Sequence, residues 1–164
     1  MKKKPWKTIS QPLFLKKNRI TASVIIKELD KKKIYLSPWI IDLFKNYKCK
    51  LKTTDFPIKL YVIKVKDLGF KKPTSLDKIY RRIKKNYYDL VLPEICLLAR
   101  LYYFEQKKGE WLRFATPLKS LIDSDGVPHL PKLGRALKKY FVETYWAYPK
   151  AIFHPNNNFV VIAK

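Results

Sequence analysis

Two rhythms of apolar and polar residues run along this chain, one with helical spacing and one alternating. Thr21 to Lys32 carries Val24, Ile25, Glu28 and Leu29 at helical intervals, although the run Val24, Ile25, Ile26 would equally suit a strand. Ser37 followed by Pro38 marks a helix start, because Ser caps free amides and Pro is tolerated in the first turn; that helix is predicted to reach about Tyr47. Phe56 to Val65 is rich in β-branched and aromatic residues with near-alternating Lys, which predicts a strand ended by the turn around Gly69 and Pro73. Thr74 and Asp77 read as the two members of a capping box for a helix running to about Asn86. At 100° per residue, Leu76, Ile79 and Ile83 fall on one side of that helix and Lys78, Arg81, Arg82 and Lys85 on the other.

Leu92, Pro93 and Glu94 open a further helix that turns Ile95, Leu98, Leu101 and Tyr102 inward, and Glu110 to Ala115 alternates as a strand. Pro131 to Val142 reads as a last helix, burying Leu133, Leu137, Tyr140 and Phe141 and exposing Lys132, Arg135, Lys138 and Lys139. A terminal hairpin is predicted from Ala151 to Ile162, with its turn at His154 to Asn158. Helices and strands mix without regular alternation, so the predicted class is α+β: a small, mainly antiparallel sheet packed against three to five helices. The alternative is a winged-helix-like arrangement with the terminal hairpin as the wing.

Composition sharpens this picture. The 164 residues suit one domain, and 47% apolar with 15% aromatic residues is too much core-forming side chain for a disordered basic tail. There is no apolar run of the length a transmembrane helix needs, and Lys16, Lys17 and Arg19 interrupt the apolar stretch that a secretory signal would carry. Cys49 and Cys96 lack the spacing of a zinc or redox motif, so free thiols in a reducing, cytoplasmic compartment are expected.

Net charge is +23, from 36 basic and 13 acidic residues, and it is unevenly spread. Residues 1–88 hold 25 basic and 6 acidic residues, whereas 89–164 hold 11 and 7. A preference for Lys over Arg, with many Ile, Asn and Tyr, is what an AT-rich genome produces by codon drift, but drift acts on both halves alike. The predicted organisation is therefore a mobile basic arm at 1–17, then one domain at 18–164 with a basic first half, 18–88, and a near-neutral second half, 89–164.

Within the second half, the Pro-Glu helix start at 93–94, the Arg-Leu-Tyr-Tyr segment from Arg100, the Gly-Glu-Trp-Leu run from Gly109 and the Asp-Ser-Asp-Gly run from Asp123 form a pattern. It resembles a recurring C-terminal module of small uncharacterised bacterial proteins, over roughly residues 88–164. No activity is established for that group, so the resemblance implies no catalytic role.

Candidate chemistry is sparse. Asp123 and Asp125 alternate as cation ligands do, yet the count fails for a Ca²⁺ loop: the position for the last ligand is Lys132 in one register, and the required Gly is Pro128 in the other. A tight polar turn through Gly126 is the simpler reading. His129 and His154 each adjoin a Pro in a predicted surface loop, without a Ser or Cys nucleophile motif. Four glycines contain no phosphate-cradling fingerprint. Arg100, in an apolar helix, calls for a partner such as Glu94, Glu105 or Glu110. No catalytic residue, cofactor or metal site is predicted.

The positive signal is the basic helix face. Lys78, Arg81, Arg82 and Lys85, with Lys71 and Lys72 just before them, are the predicted nucleic-acid-binding residues, because cations on one face neutralise successive phosphates together. Trp6, Tyr35, Tyr47, Tyr61, Tyr80, Tyr87 and Tyr88 interleave with Lys, and any left exposed would stack on unpaired bases. The leading expectation is a non-enzymatic protein that binds the DNA or RNA backbone, with residues 89–164 stabilising the fold or holding a protein partner. Its rivals are a small-ligand or enzymatic domain centred on Arg100, Glu110, Asp123 and Asp125, with Arg113 nearby, and a basic structural subunit of a larger assembly.

Overall fold

The computed structural model describes residues 4–15 and 20–164. Among them the chain forms β1 (Lys7–Ile9), α1 (Ala22–Lys31), β2 (Tyr35–Leu36), α2 (Pro38–Lys45), β3 (Ile58–Lys64), β4 (Thr74–Ser75), α3 (Leu76–Lys85) and β5 (Tyr88–Asp89). It continues with α4 (Pro93–Tyr102), β6 (Trp111–Phe114), β7 (His129–Ala136), β8 (Lys139–Trp146), β9 (Ile152–Phe153) and β10 (Asn158–Ala163).

The class is α+β, but the sheet is mixed rather than mainly antiparallel. Its strands lie in the order β1, β3, β10, β6, β7, β8, β2, with β5 continuing beside β10. β10 runs parallel to β6, and β2 runs parallel to β8. The parallel pairing of β10 follows from what happens before it. β9 leaves the main sheet to pair with β4, Thr74 opposite Phe153 and Ser75 opposite Ile152, so the chain re-enters between β3 and β6. The expected terminal hairpin, the wing of the alternative arrangement, therefore does not form. Its turn does: the His154 amide donates to Asn157 Oδ1 at 2.8 Å.

The predicted helix at Pro131 to Val142 is a β-hairpin. β7 and β8 pair from His129 opposite Trp146 to Ala136 opposite Lys139, and Leu137 and Lys138 form its turn with φ of 47° and 63°. Leu133 and Val142 are buried on the side of α4, while Lys132 and Gly134 face the other way. The single Leu at each helical interval was also compatible with period two, and the run Tyr140 to Trp146 has the β-branched and aromatic bias of a strand.

Two apolar layers sandwich the sheet. On one side α1, α2 and α4 bury Ile25, Leu29, Ile40, Phe44, Ile95, Leu98 and Leu101 against Leu112, Phe114, Leu133 and Val160. α4 is buried all round from Pro93 to Leu101, Arg100 and Glu94 included, whereas Tyr102, predicted to turn inward, is exposed at the end of the helix. On the other side α3 sets Leu76, Ile79, Tyr80 and Ile83 against Ile63, Phe159 and Val161.

Helix starts follow local chemistry in two cases: Thr21 Oγ1 accepts from the Val24 amide at 3.4 Å and Ser37 Oγ from the Ile40 amide at 3.3 Å. The expected capping box of α3 is absent. Thr74 and Ser75 are occupied in β4, the Ser75 hydroxyl donates to the Asp77 carboxylate, and the first amides of the helix donate to the carbonyls of Ala151 and Pro149.

Residues 4–15, expected as part of a mobile arm, carry edge strand β1 on β3. Ile9 and Leu15 are buried, and Trp6 meets Tyr103 edge-to-face with ring centroids 4.7 Å apart. The remainder of that segment, Met1 to Lys3 with Lys16 and Lys17, lies outside the described residues.

Candidate nucleic-acid interface

α3 packs its apolar side with residues of β3 and β10 and turns its polar face outward. Lys78, Arg81, Arg82 and Lys85 are all exposed there and, with half-buried Phe70, line one shallow cavity of about 250 Å³. Phe70 was not singled out from the sequence; it enters because Gly69, at φ of 91°, turns the chain back under the helix. Arg82 Nη1 donates to the Leu68 carbonyl at 3.0 Å, and its guanidinium lies 5.2 Å from the centre of the Phe70 ring. Arg82 is thus half structural, whereas Arg81 makes a 3.3 Å pair with Asp77, and Lys78 and Lys85 close no ion pair among the described residues. Asp77 is held below the ordinary Asp value first by the Ser75 hydrogen bond.

Lys71 and Lys72 are exposed on the segment leading into β4 but do not line this cavity. Arg81 also borders a second cavity of about 440 Å³, whose lining includes Tyr80, Lys84, Leu118 and Lys119. Lys84 was legible, three residues after Arg81 on the same helix; Lys119 was not, because it comes from the near-neutral half. Of the seven interleaved aromatics, Trp6, Tyr47, Tyr61, Tyr80 and Tyr88 are buried or half-buried, and Tyr35 and Tyr87 are exposed, Tyr87 at 84%.

The rival constellation is divided between two separate hydrogen-bond networks. Arg100 has no carboxylate partner among the described residues. Its Nη1 donates to Gln106 Oε1 at 2.6 Å and to the Gly134 carbonyl at 3.4 Å, its Nη2 to the Tyr103 carbonyl, and the Tyr140 ring lies 4.7 Å from it. Burial pulls its pKa down to about 10, so it stays charged at neutral pH. Glu110 accepts from the Tyr103 hydroxyl at 2.9 Å. Glu94, expected beside Arg100, instead accepts from the Tyr47 hydroxyl and the amides of Lys50 and Leu51, all at 2.7–2.8 Å.

Asp123 closes the polar turn by accepting from the amides of Asp125 and Val127, with Gly126 at φ of 80°. His129 is not in a surface loop. It begins β7, is buried, bonds Asp123 Oδ2 at 2.9 Å through Nε2 and stacks on Trp39. His154 is exposed in its turn. Both cysteines are free thiols; burial, then Glu94, pushes the Cys49 thiol up to about 12.

Among the described residues, no three His, Cys, Asp or Glu side chains group as a metal ion requires, and no helix is long and apolar enough to cross a membrane. No family model, curated protein or solved structure matches this chain.

Proposed function

We propose that the chain is a non-enzymatic nucleic-acid-binding protein that contacts backbone phosphates through the outer face of α3. The observation that carries this reading is the convergence of Lys78, Arg81, Arg82 and Lys85 on one shallow cavity. From Lys78 to Lys85 the helix rises about 10 Å, a span over which duplex DNA presents about six charges. Contacts of this kind recognise charge and spacing rather than base sequence. The free thiols support a reducing, cytoplasmic setting.

The test is a salt titration of duplex and single-stranded binding. Arg82 is kept, since removing it would also strip the Leu68 carbonyl of its donor. Changing Lys78, Arg81 and Lys85 to Gln is expected to lower the slope of log affinity on log salt by about 2–3. The control changes Lys45, Lys48 and Lys50, exposed at and beyond the end of α2 on the opposite side of the sheet, and is expected to lose less. Equal losses, or no binding at low salt, would refute the reading.

A further inference from the structure

Beside α3, the strands β6, β7 and β8 present a face that no helix closes among the described residues. Leu112, Leu133 and Val142 are fully buried on the α4 side, but Trp111, Arg113, Lys132 and Phe141 on the other side are only half-buried, and Tyr145 is exposed. Trp111 lies flat over Gly134, where a Cβ would stand 2.2 Å from the ring. Gly134 is therefore the residue that lets an aromatic plane rest on the sheet.

Across this face Arg113 stands directly opposite Lys132. Like charges in that register are destabilising, and neither side chain closes an ion pair among the described residues. Glu143, opposite Lys132 on the other strand, offsets Lys132 in part, while burial and then Arg113 hold the Lys132 ammonium below its ordinary value. The Lys132 ammonium sits 4.4 Å from the Trp111 ring centre, and the Arg113 guanidinium 5.6 Å from that of Tyr145.

At the edge of this face, a cavity of about 190 Å³ is lined by Glu110, Trp111, Arg113 and Asn156 to Asn158. Glu110 is already engaged by Tyr103. Two of the other lining residues hold buried polar atoms without a partner among the described residues, Arg113 Nε on this face and Asn158 Oδ1 on the α4 side of β10. Buried polar atoms are rarely left unpaired, and on this face Arg113 keeps a donor for an acceptor on a ligand.

We propose that this face holds one nucleotide unit of a single-stranded nucleic acid, its phosphate between Arg113 and Lys132 and its base against Trp111 and Tyr145. The inference rests on the proposed function and deepens it. The adjacent cations, offset only at Lys132 by Glu143, supply the phosphate site and the aromatic planes the stacking surface. A duplex keeps its bases stacked internally and offers no free ring to these planes.

The experiment measures fluorescence anisotropy of a labelled oligothymidylate and of a duplex of equal length, against wild type, Trp111→Leu, Lys132→Gln and the triple α3 variant. Both sheet-face variants are expected to lose about tenfold in single-strand affinity and to keep duplex affinity. Lys132 is half-exposed, so its variant tests the idea even if Trp111→Leu melts too low to use. Unchanged single-strand affinity in Lys132→Gln, or equal losses on both nucleic acids, overturns the inference and leaves the α3 reading standing. An α3 variant with undiminished affinity overturns that reading instead, and wild type binding neither nucleic acid overturns both. Thymidine monophosphate is expected to compete only weakly; competition as tight as by the oligonucleotide would make this a free-nucleotide site and refute the single-strand proposal.

Discussion

Glu94 ties the basic half of the chain to the near-neutral half, and its removal makes a stringent stability test. The carboxylate is fully buried at the start of α4, and all three of its donors come from residues 47–51. In Glu94→Ala the Leu51 amide loses its acceptor in a buried setting, at about 1–3 kcal/mol. The Lys50 amide and Tyr47 hydroxyl are closer to water and add about 0.5–1.5 kcal/mol each. With the lost packing of the stem, the total comes to about 3–5 kcal/mol. For a domain of this size that lowers the melting temperature by roughly 10 °C. Glu94→Gln keeps an oxygen for both amides and asks only the Tyr47 hydroxyl to turn and accept, so it is expected to cost less than half as much. Urea denaturation followed by tryptophan fluorescence gives both numbers. A loss below about 1 kcal/mol in Glu94→Ala, or equal losses in the two variants, would refute the reasoning.

Leu137 and Lys138 both hold positive φ in the β7–β8 turn, where neither residue type is at ease; replacing them by Asn and Gly is expected to stabilise the domain by about 1 kcal/mol in the same urea assay. The His129 hydrogen bond, followed by the Val127 amide, holds the Asp123 carboxyl below its ordinary value. Its stabilising contribution is therefore complete above about pH 4 and disappears as pH falls through the lowered value, so melting curves of wild type and Asp123→Asn should differ at neutral pH and converge in acid. Deleting residues 1–9 removes β1 and the buried Ile9 and is expected to lower the melting temperature clearly, whereas a freely mobile arm would leave it unchanged.

Much of this protein was legible from local pattern. The Ser-Pro start of α2, the amphipathic α3 with its four cations, the strand β3 and the Asp123 turn are each specified by residues within a few positions of one another. Capping, 3.6-residue periodicity and turn chemistry act over just that range. Charge segregation likewise pointed to α3, since a helix face is fixed by spacing alone.

What the pattern could not decide was partnership. Residues 131–142 suited either period until Leu133 and Val142 met α4 on one side and Gly134 received Trp111 on the other. The turn at 154–157 formed as expected, yet its flanking strands went to different partners, because β4 captured β9 and β3 with β6 captured β10. Arg100 and Glu94 found backbone and side-chain partners far along the chain rather than each other. Phe70 joined the α3 cations, and Trp111 and Tyr145 came to share a face with Arg113 and Lys132, by the same route. Strand pairing and burial join residues tens of positions apart, and their energies depend on which surfaces meet, a quantity that no local window of the sequence contains.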